Sequence, residues 1–253
     1  MNVMGWRHAL LLVGFVGLLL ALIFILFIRE APAHHFSHEQ FKFKQVFDAL
    51  RNKQNWLLTC YTGLAFSPVT IFGTLWGNRF LVEAYQLSNT DIAFWISFIF
   101  VGLGLGSPIL GLLSNYFKER RFAMVLNTFV GFISLSIVIY IHPLPIWLLG
   151  SLLFLFGFSI GGFMLAFSVG KEINPHFLTG TVIAMINTSE PILNGITEPL
   201  IGKILDLRWQ GTIIHGIRFY SVNDYIIALS ILPIYLLIAT LLLFFLEDHP
   251  ISS

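Results

Sequence analysis

Four residues of one segment have the types and spacing to do chemistry: Asn187, Glu190, Asn194 and Glu198. At 100° per residue they fall at about 0°, 300°, 340° and 20° around a helix, an arc of about 80°. The surrounding residues, among them Ile183, Ile186, Ile192, Leu193, Ile196 and Ile201, are apolar. An ionisable side chain at membrane depth faces protein or water and marks a path for a substrate, an ion or a proton. Two carboxyls on one such face can take up and release protons, and the two amides can serve as their hydrogen-bond partners.

Magnitudes decide which way that face can point. Strongly apolar residues return about 0.3–0.6 kcal/mol each on the insertion scale, and an acidic residue at the helix centre costs roughly 2.5–3.5 kcal/mol. About ten apolar side chains are therefore cancelled by two glutamates before the asparagines are counted. The stripe must face protein or a wet cavity, or the carboxyls must be neutral. The alternative to a solute pathway is a pair of protonated or hydrogen-bonded glutamates that tie helices together.

The elements that must hold this stripe are membrane helices. The chain is 57% apolar and 11% charged, against about 25% charged in soluble domains. Seven stretches reach the roughly 20 residues a span needs: Trp6–Ile28, Asn55–Asn78, Asp91–Phe117, Phe122–Ile141, Ile146–Gly170, Thr179–Leu205 and Asp224–Leu246. The fold class is thus all-α, integral to the membrane, with seven transmembrane helices. None of the stretches alternates as barrel strands do. The first run, of about 20 apolar residues, exceeds a signal h-region of about 7–15 and reads as a retained span. The organisation is 1–28 a first helix, 29–54 a linker, 55–246 a six-helix bundle and 247–253 a tail.

Nine of the fourteen Lys and Arg residues fall on the side that follows the first span. By the positive-inside rule that side is cytoplasmic, with the N-terminus outside and the C-terminus inside. Net charge is +1, which gives no reason to expect a nucleic-acid partner. Cys60 is the one cysteine, so no internal disulfide or thiolate metal site can form. His34, His35 and His38 in the linker lack carboxylates or thiols to complete a metal shell, and no metal or other cofactor is expected. The later half of the linker spaces Phe43, Val46, Phe47 and Leu50 as an amphipathic surface helix would.

Other residues carry weaker signals. Ser88 and Asp91 form a helix-start arrangement. Gly102 with Gly106, and Gly157 with Gly161, are small-xxx-small pairs that let helices approach closely. Arg79 and Glu83 stand four apart at the end of the second span, as a gate, an anion site or an interfacial ion pair. Tyr61, with Thr62, Ser67, Thr70 and Thr74, adds polarity to that span and is a candidate cavity residue.

These residues together resemble the C-terminal half of a Major Facilitator Superfamily transporter, from its sixth helix to its twelfth. Gly5-Trp6-Arg7 resembles the start of the sixth helix. Gly111-Leu-Leu-Ser-Asn-Tyr-Phe-Lys-Glu-Arg-Arg121 resembles the family's basic loop motif, with Asn115 where Asp is usual and Lys118 where Gly is usual. Lys171-Glu-Ile-Asn-Pro175, then Gly180 and Asn187, and Pro199-Leu-Ile-Gly-Lys-Ile-Leu-Asp206 resemble the tenth-to-eleventh helix region. The resemblance implies two six-helix bundles that rock about a central cavity. The stripe of Glu190 and Glu198 then falls on the eleventh helix, a cavity-lining one. Gly111, Asn115, Arg120 and Arg121 form the cytoplasmic gate loop.

The implied activity is secondary active transport of a small polar or anionic metabolite, coupled to protons, in the cell (inner) membrane. Its partners are membrane lipids, the solute with its protons, and an N-terminal half that supplies the opposite wall. Read alone, the chain is a C-terminal part of the transporter or an inactive fragment. The rival class is a seven-helix receptor. Asp224–Leu246 holds no Lys for a retinal Schiff base, and Lys118-Glu-Arg-Arg121 is a loose echo of a receptor's acidic-Arg pair. No HExxH, GxSxG or paired intramembrane aspartates support an enzyme.

Overall fold

A computed structural model of the chain describes residues 6–28, 43–117, 119–214 and 216–247. His34, His35, His38 and Lys118 lie outside the described residues. Two units divide at residue 41, Met1–Phe41 and Lys42–Ser253. The first contains α1 (Trp6–Phe27), whose stretch Leu10–Phe27 holds no charged residue.

The second unit begins with α2 (Phe43–Arg51), the short helix expected in the linker. Ala49 is buried while Phe47 is exposed. Next comes α3 (Lys53–Thr70), which Asn52 caps by accepting from the Gln54 amide. It continues through a π-helical turn, Ile71–Trp76, into α4 (Gly77–Tyr85). The helix runs seven residues past the expected end at Asn78 and stops where Gln86 turns left-handed at φ 53°. Arg79 and Glu83 mark the exit from apolar sequence, but nothing breaks the backbone there.

The remaining helices follow in chain order. They are α5 (Asn89–Phe117), α6 (Arg120–Tyr140), α7 (Ile146–Ile160), α8 (Leu165–Glu172) after a 3-10 turn at Gly161–Met164, and α9 (Thr179–Arg208). A hairpin of β1 (Ile213–Ile214) and β2 (Ile217–Arg218) pairs Ile213 with Arg218 and Ile214 with Ile217. Then follow α10 (Val222–Leu229) and α11 (Ile231–Leu242). The Ser88 start is as expected: the Asp91 amide donates to Ser88 Oγ at 3.1 Å. A matching box at Ser221 and Asp224 opens α10.

Six helical stretches are long and apolar enough to cross a membrane by length and composition: Leu10–Phe27, Lys53–Tyr85, Asn89–Tyr116, Arg120–Tyr140, Ile146–Glu172 and Val222–Phe245. The seventh expected span, α9, is long enough at 30 residues but falls outside this set. Its polar stripe is the physical reason, since Asn187, Glu190, Asn194 and Glu198 interrupt the apolar run. It packs along α3 and closes over α10, so its place is set by neighbours rather than by hydropathy.

The small-residue pairs set the closest contact. α5 packs along α7, with Gly102 on the Phe154 carbonyl, Gly106 on the Phe158 carbonyl and Gly157 on the Ile99 carbonyl. A Cβ at any of the three would collide with backbone, so the glycines are required by approach. One core cluster gathers Phe72, Phe80, Ile99, Leu135, Phe156 and Leu232; the other gathers Leu58, Tyr61, Met124, Ala166, Ile186 and Ala239.

Candidate functional site

The stripe of α9 lies beside α3. Gly63 of α3 faces Ser189, and a Cβ there would press on the Ser189 side chain and carbonyl. That close approach brings the polar residues one turn further on into contact. Asn194 Nδ2 donates to Glu190 Oε1 at 2.6 Å on its own helix. It also donates to Thr70 Oγ1 of α3 at 2.9 Å, and Thr70 in turn donates to the Ser67 carbonyl at 3.1 Å. A carboxylate, an amide and a hydroxyl thus form one chain across the seam.

Two features keep that chain from being closed. Asn194 Oδ1 is buried and has no hydrogen-bond partner among the described residues, and the hydroxyls of Thr62 and Ser67 on α3 are in the same condition. A buried acceptor left unpaired costs about 1–3 kcal/mol, so such groups call for water, an ion or a ligand.

The stripe is not the contact face itself. Val182, Ile186, Thr197, Ile201 and Leu205 are the buried residues of α9. Glu190, Asn194 and Glu198 are half-buried, and Asn187 is exposed. The four residues therefore run along the edge of the α3–α9 seam, with one flank on protein and the other open. Thr197, next to Glu198, bonds Tyr235 across α11 at 2.8 Å between hydroxyls. That tie was missed at the level of sequence, because a single Tyr inside the apolar run Ile231–Leu242 looks like filler.

The other candidates are placed elsewhere. Tyr61 is buried and its hydroxyl meets Thr128 Oγ1 of α6 at 3.0 Å, inside the bundle. Arg79 is exposed and Glu83 half-buried on α4, and no ion pair joins them among the described residues. That corrects the ion-pair reading of this spacing: four residues apart on a helix permits a pair, but long side chains at an interface gain little from one.

In the loop motif, Asn115 is exposed and Gly111 has open space around it. Arg120 makes a two-pronged pair with Glu172 of α8, at 2.9 Å from Nε and 2.6 Å from Nη2. Arg121 donates to the Phe244 carbonyl at 2.7 Å. A carboxylate from α8 therefore serves the arginine, while Asn115, at the motif's usual acidic position, makes no bond to it.

At the opposite end, the loop after α9 is built from two charged ties. Arg208 Nε meets Asp224 Oδ1 at 2.8 Å. Asp206 accepts from Tyr220 at 2.6 Å and from Arg218 at 2.7 Å. Those two hydrogen bonds, Tyr220 first, hold the Asp206 carboxyl below its ordinary value. Arg218 also lies over the Trp209 ring, 4.7 Å from its centre. Among the described residues, no cluster of three or more His, Cys, Asp or Glu could hold a metal ion.

No curated protein matches the chain. A family model described as Major Facilitator Superfamily matches residues 1–198, from α1 through to Glu198 on α9. On that match, over more than half of its length, the chain belongs to the Major Facilitator Superfamily, a family of membrane transporters.

Proposed function

We propose that this chain handles substrate and protons in a secondary active transporter of a small polar or anionic metabolite, working by alternating access. The observation that carries the reading is the open Glu190–Asn194–Thr70 chain at the α3–α9 seam. As a carboxylate, Glu190 accepts from the amide. Once protonated, it becomes a donor at that oxygen. Where the Asn194 amide then turns to present its unpaired Oδ1 to that proton, Nδ2 is taken away from Thr70. The proton state of one helix is in this way read by its neighbour. Glu198, with no bonded partner among the described residues, is the second proton or solute group, and Asn187 is the amide at the exposed end of the stripe.

In this reading the N-terminus is outside, the C-terminus is cytoplasmic, and the membrane is the cell (inner) membrane. A second bundle faces the open flank of the stripe and completes the cavity. Arg120 and Arg121 brace the cytoplasmic ends of α6, α8 and α11, and so keep this bundle rigid as it rocks.

Glu190→Gln in the carrier reconstituted into proteoliposomes tests the proposal. Uptake driven by an imposed pH gradient is lost, while exchange of solute at equal pH on both sides continues. Unchanged gradient-driven uptake removes Glu190 from the mechanism.

A further inference from the structure

α9 repeats one short pattern at an interval of eight residues, Glu190-Pro191 and Glu198-Pro199. Both prolines stand inside the helix. A proline has no backbone N–H, so the carbonyl four residues before it loses its helical partner. Those carbonyls belong to Asn187 and Gly195. Each lies three residues before a glutamate and therefore beside it on the helix surface. Each step thus sets a carboxylate next to a freed carbonyl, two acceptors that cannot satisfy one another.

The two steps differ in what they hold. At the first, Glu190 already accepts from Asn194 at 2.6 Å. At the second, Glu198 is half-buried, yet it accepts no hydrogen bond and meets no cation among the described residues. Gly195 is exposed, with open space where a side chain would stand. One turn beyond Glu198, Gly202 carries the Trp76 ring, whose edge comes within 3.7 Å of the place of a Cβ. Lys203 is exposed and lies about 140° round the helix from Glu198. The opening therefore presents a carboxylate, a bare carbonyl and an indole, and no base. The first two take N–H bonds, and indole is the best of the aromatic faces for a cation. A solute carboxylate at this point would meet like charge.

We propose that Glu198 and the Gly195 carbonyl bind the ammonium group of an amine-bearing solute, with the Trp76 ring beside it. The inference rests on the reading of the stripe as a solute path. It narrows the solute from any small polar or anionic metabolite to one that carries a primary amine. Protons stay with Glu190, and Glu198 is the solute group.

Thermal denaturation of the whole chain in detergent tests it. Ethanolamine is the probe; ethylene glycol, glycolate and sodium chloride at equal concentration are the controls. Ethanolamine raises the melting temperature in proportion to its binding, and the controls do not. Glu198→Gln demands about tenfold more ethanolamine for the same rise, the loss of a charge-assisted hydrogen bond. Pro199→Ala, which returns an N–H to the Gly195 carbonyl, demands about threefold more. No rise with ethanolamine, an equal rise with any control, or a response unchanged by either substitution overturns the proposal. The readout is binding, so its failure leaves gradient-driven uptake through Glu190 standing, and a failed uptake test leaves the binding result standing.

Discussion

Asn194 is where one side chain bears on two helices. Its amide donates both to Glu190 on α9 and to Thr70 on α3, so the two partners are coupled through it. Thr70→Val and Asn194→Leu should be non-additive in thermal denaturation, with an interaction of about 0.6 kcal/mol, the usual size for a hydrogen bond between membrane helices. Additive losses would mean the contact carries no energy. Asp206 yields a pH prediction. Its folded value lies below the ordinary one through Tyr220 and Arg218, so its contribution is present above the ordinary aspartate range and is lost as pH falls through the depressed value. Amide exchange in the hairpin around Ile213–Arg218 stays slow down to acid pH, and Asp206→Asn speeds it at neutral pH. Sequence periodicity put Glu190 and Asn194 on one face because a helix repeats at a fixed angle. The partners Thr70 and Tyr235 depend on how two helices slide past each other, which no single-helix period encodes.

Helices were legible wherever apolar length or a cap defined them, and their interruptions were not. Ser88 and Asp91 start α5 as their side chains dictate. The glycine pairs also did what small residues at that spacing do, bringing α5 and α7 into backbone contact. Gly106→Leu should therefore destabilise the bundle by at least about 1–3 kcal/mol, the range for overpacking a tight interface. Gly104→Leu, at a position with nothing nearby, leaves the melting temperature in detergent unchanged. The π-helical turn Ile71–Trp76 escaped the sequence because Pro68 and Gly73 mark a weak stretch without saying how the backbone resolves it. The Arg120–Glu172 pair escaped for another reason: its partners are separated by 52 positions. Arg120→Glu breaks this tie between α6 and α8 and lowers thermal stability. Adding Glu172→Arg recovers part of the loss, since the charges again match; no recovery would assign the effect to packing alone.

At the scale of the molecule, the described loops of the second unit gather at two ends. One end joins Asn55 to Asn174, Gln54 to Glu247 and Arg120 to Glu172; the other joins Tyr85 to Leu144, Tyr140 to Ser230 and Arg208 to Asp224. The first end carries Arg51, Lys53, Arg120, Arg121 and Lys171, the second Arg79, Lys203, Arg208 and Arg218. The basic excess is modest, and at the second end both loop arginines are already neutralised, Arg208 by Asp224 and Arg218 by Asp206. Arg120 at the first end is paired with Glu172 in the same way, and acidic residues count for little in the positive-inside rule, so the proposed orientation, with the first end cytoplasmic, rests on the basic count alone. In a Cys60→Ala background, two exposed positions decide it. Gln210→Cys reacts with a membrane-impermeant maleimide in intact cells, and Lys171→Cys reacts only after permeabilisation. The reverse pattern would turn the bundle over.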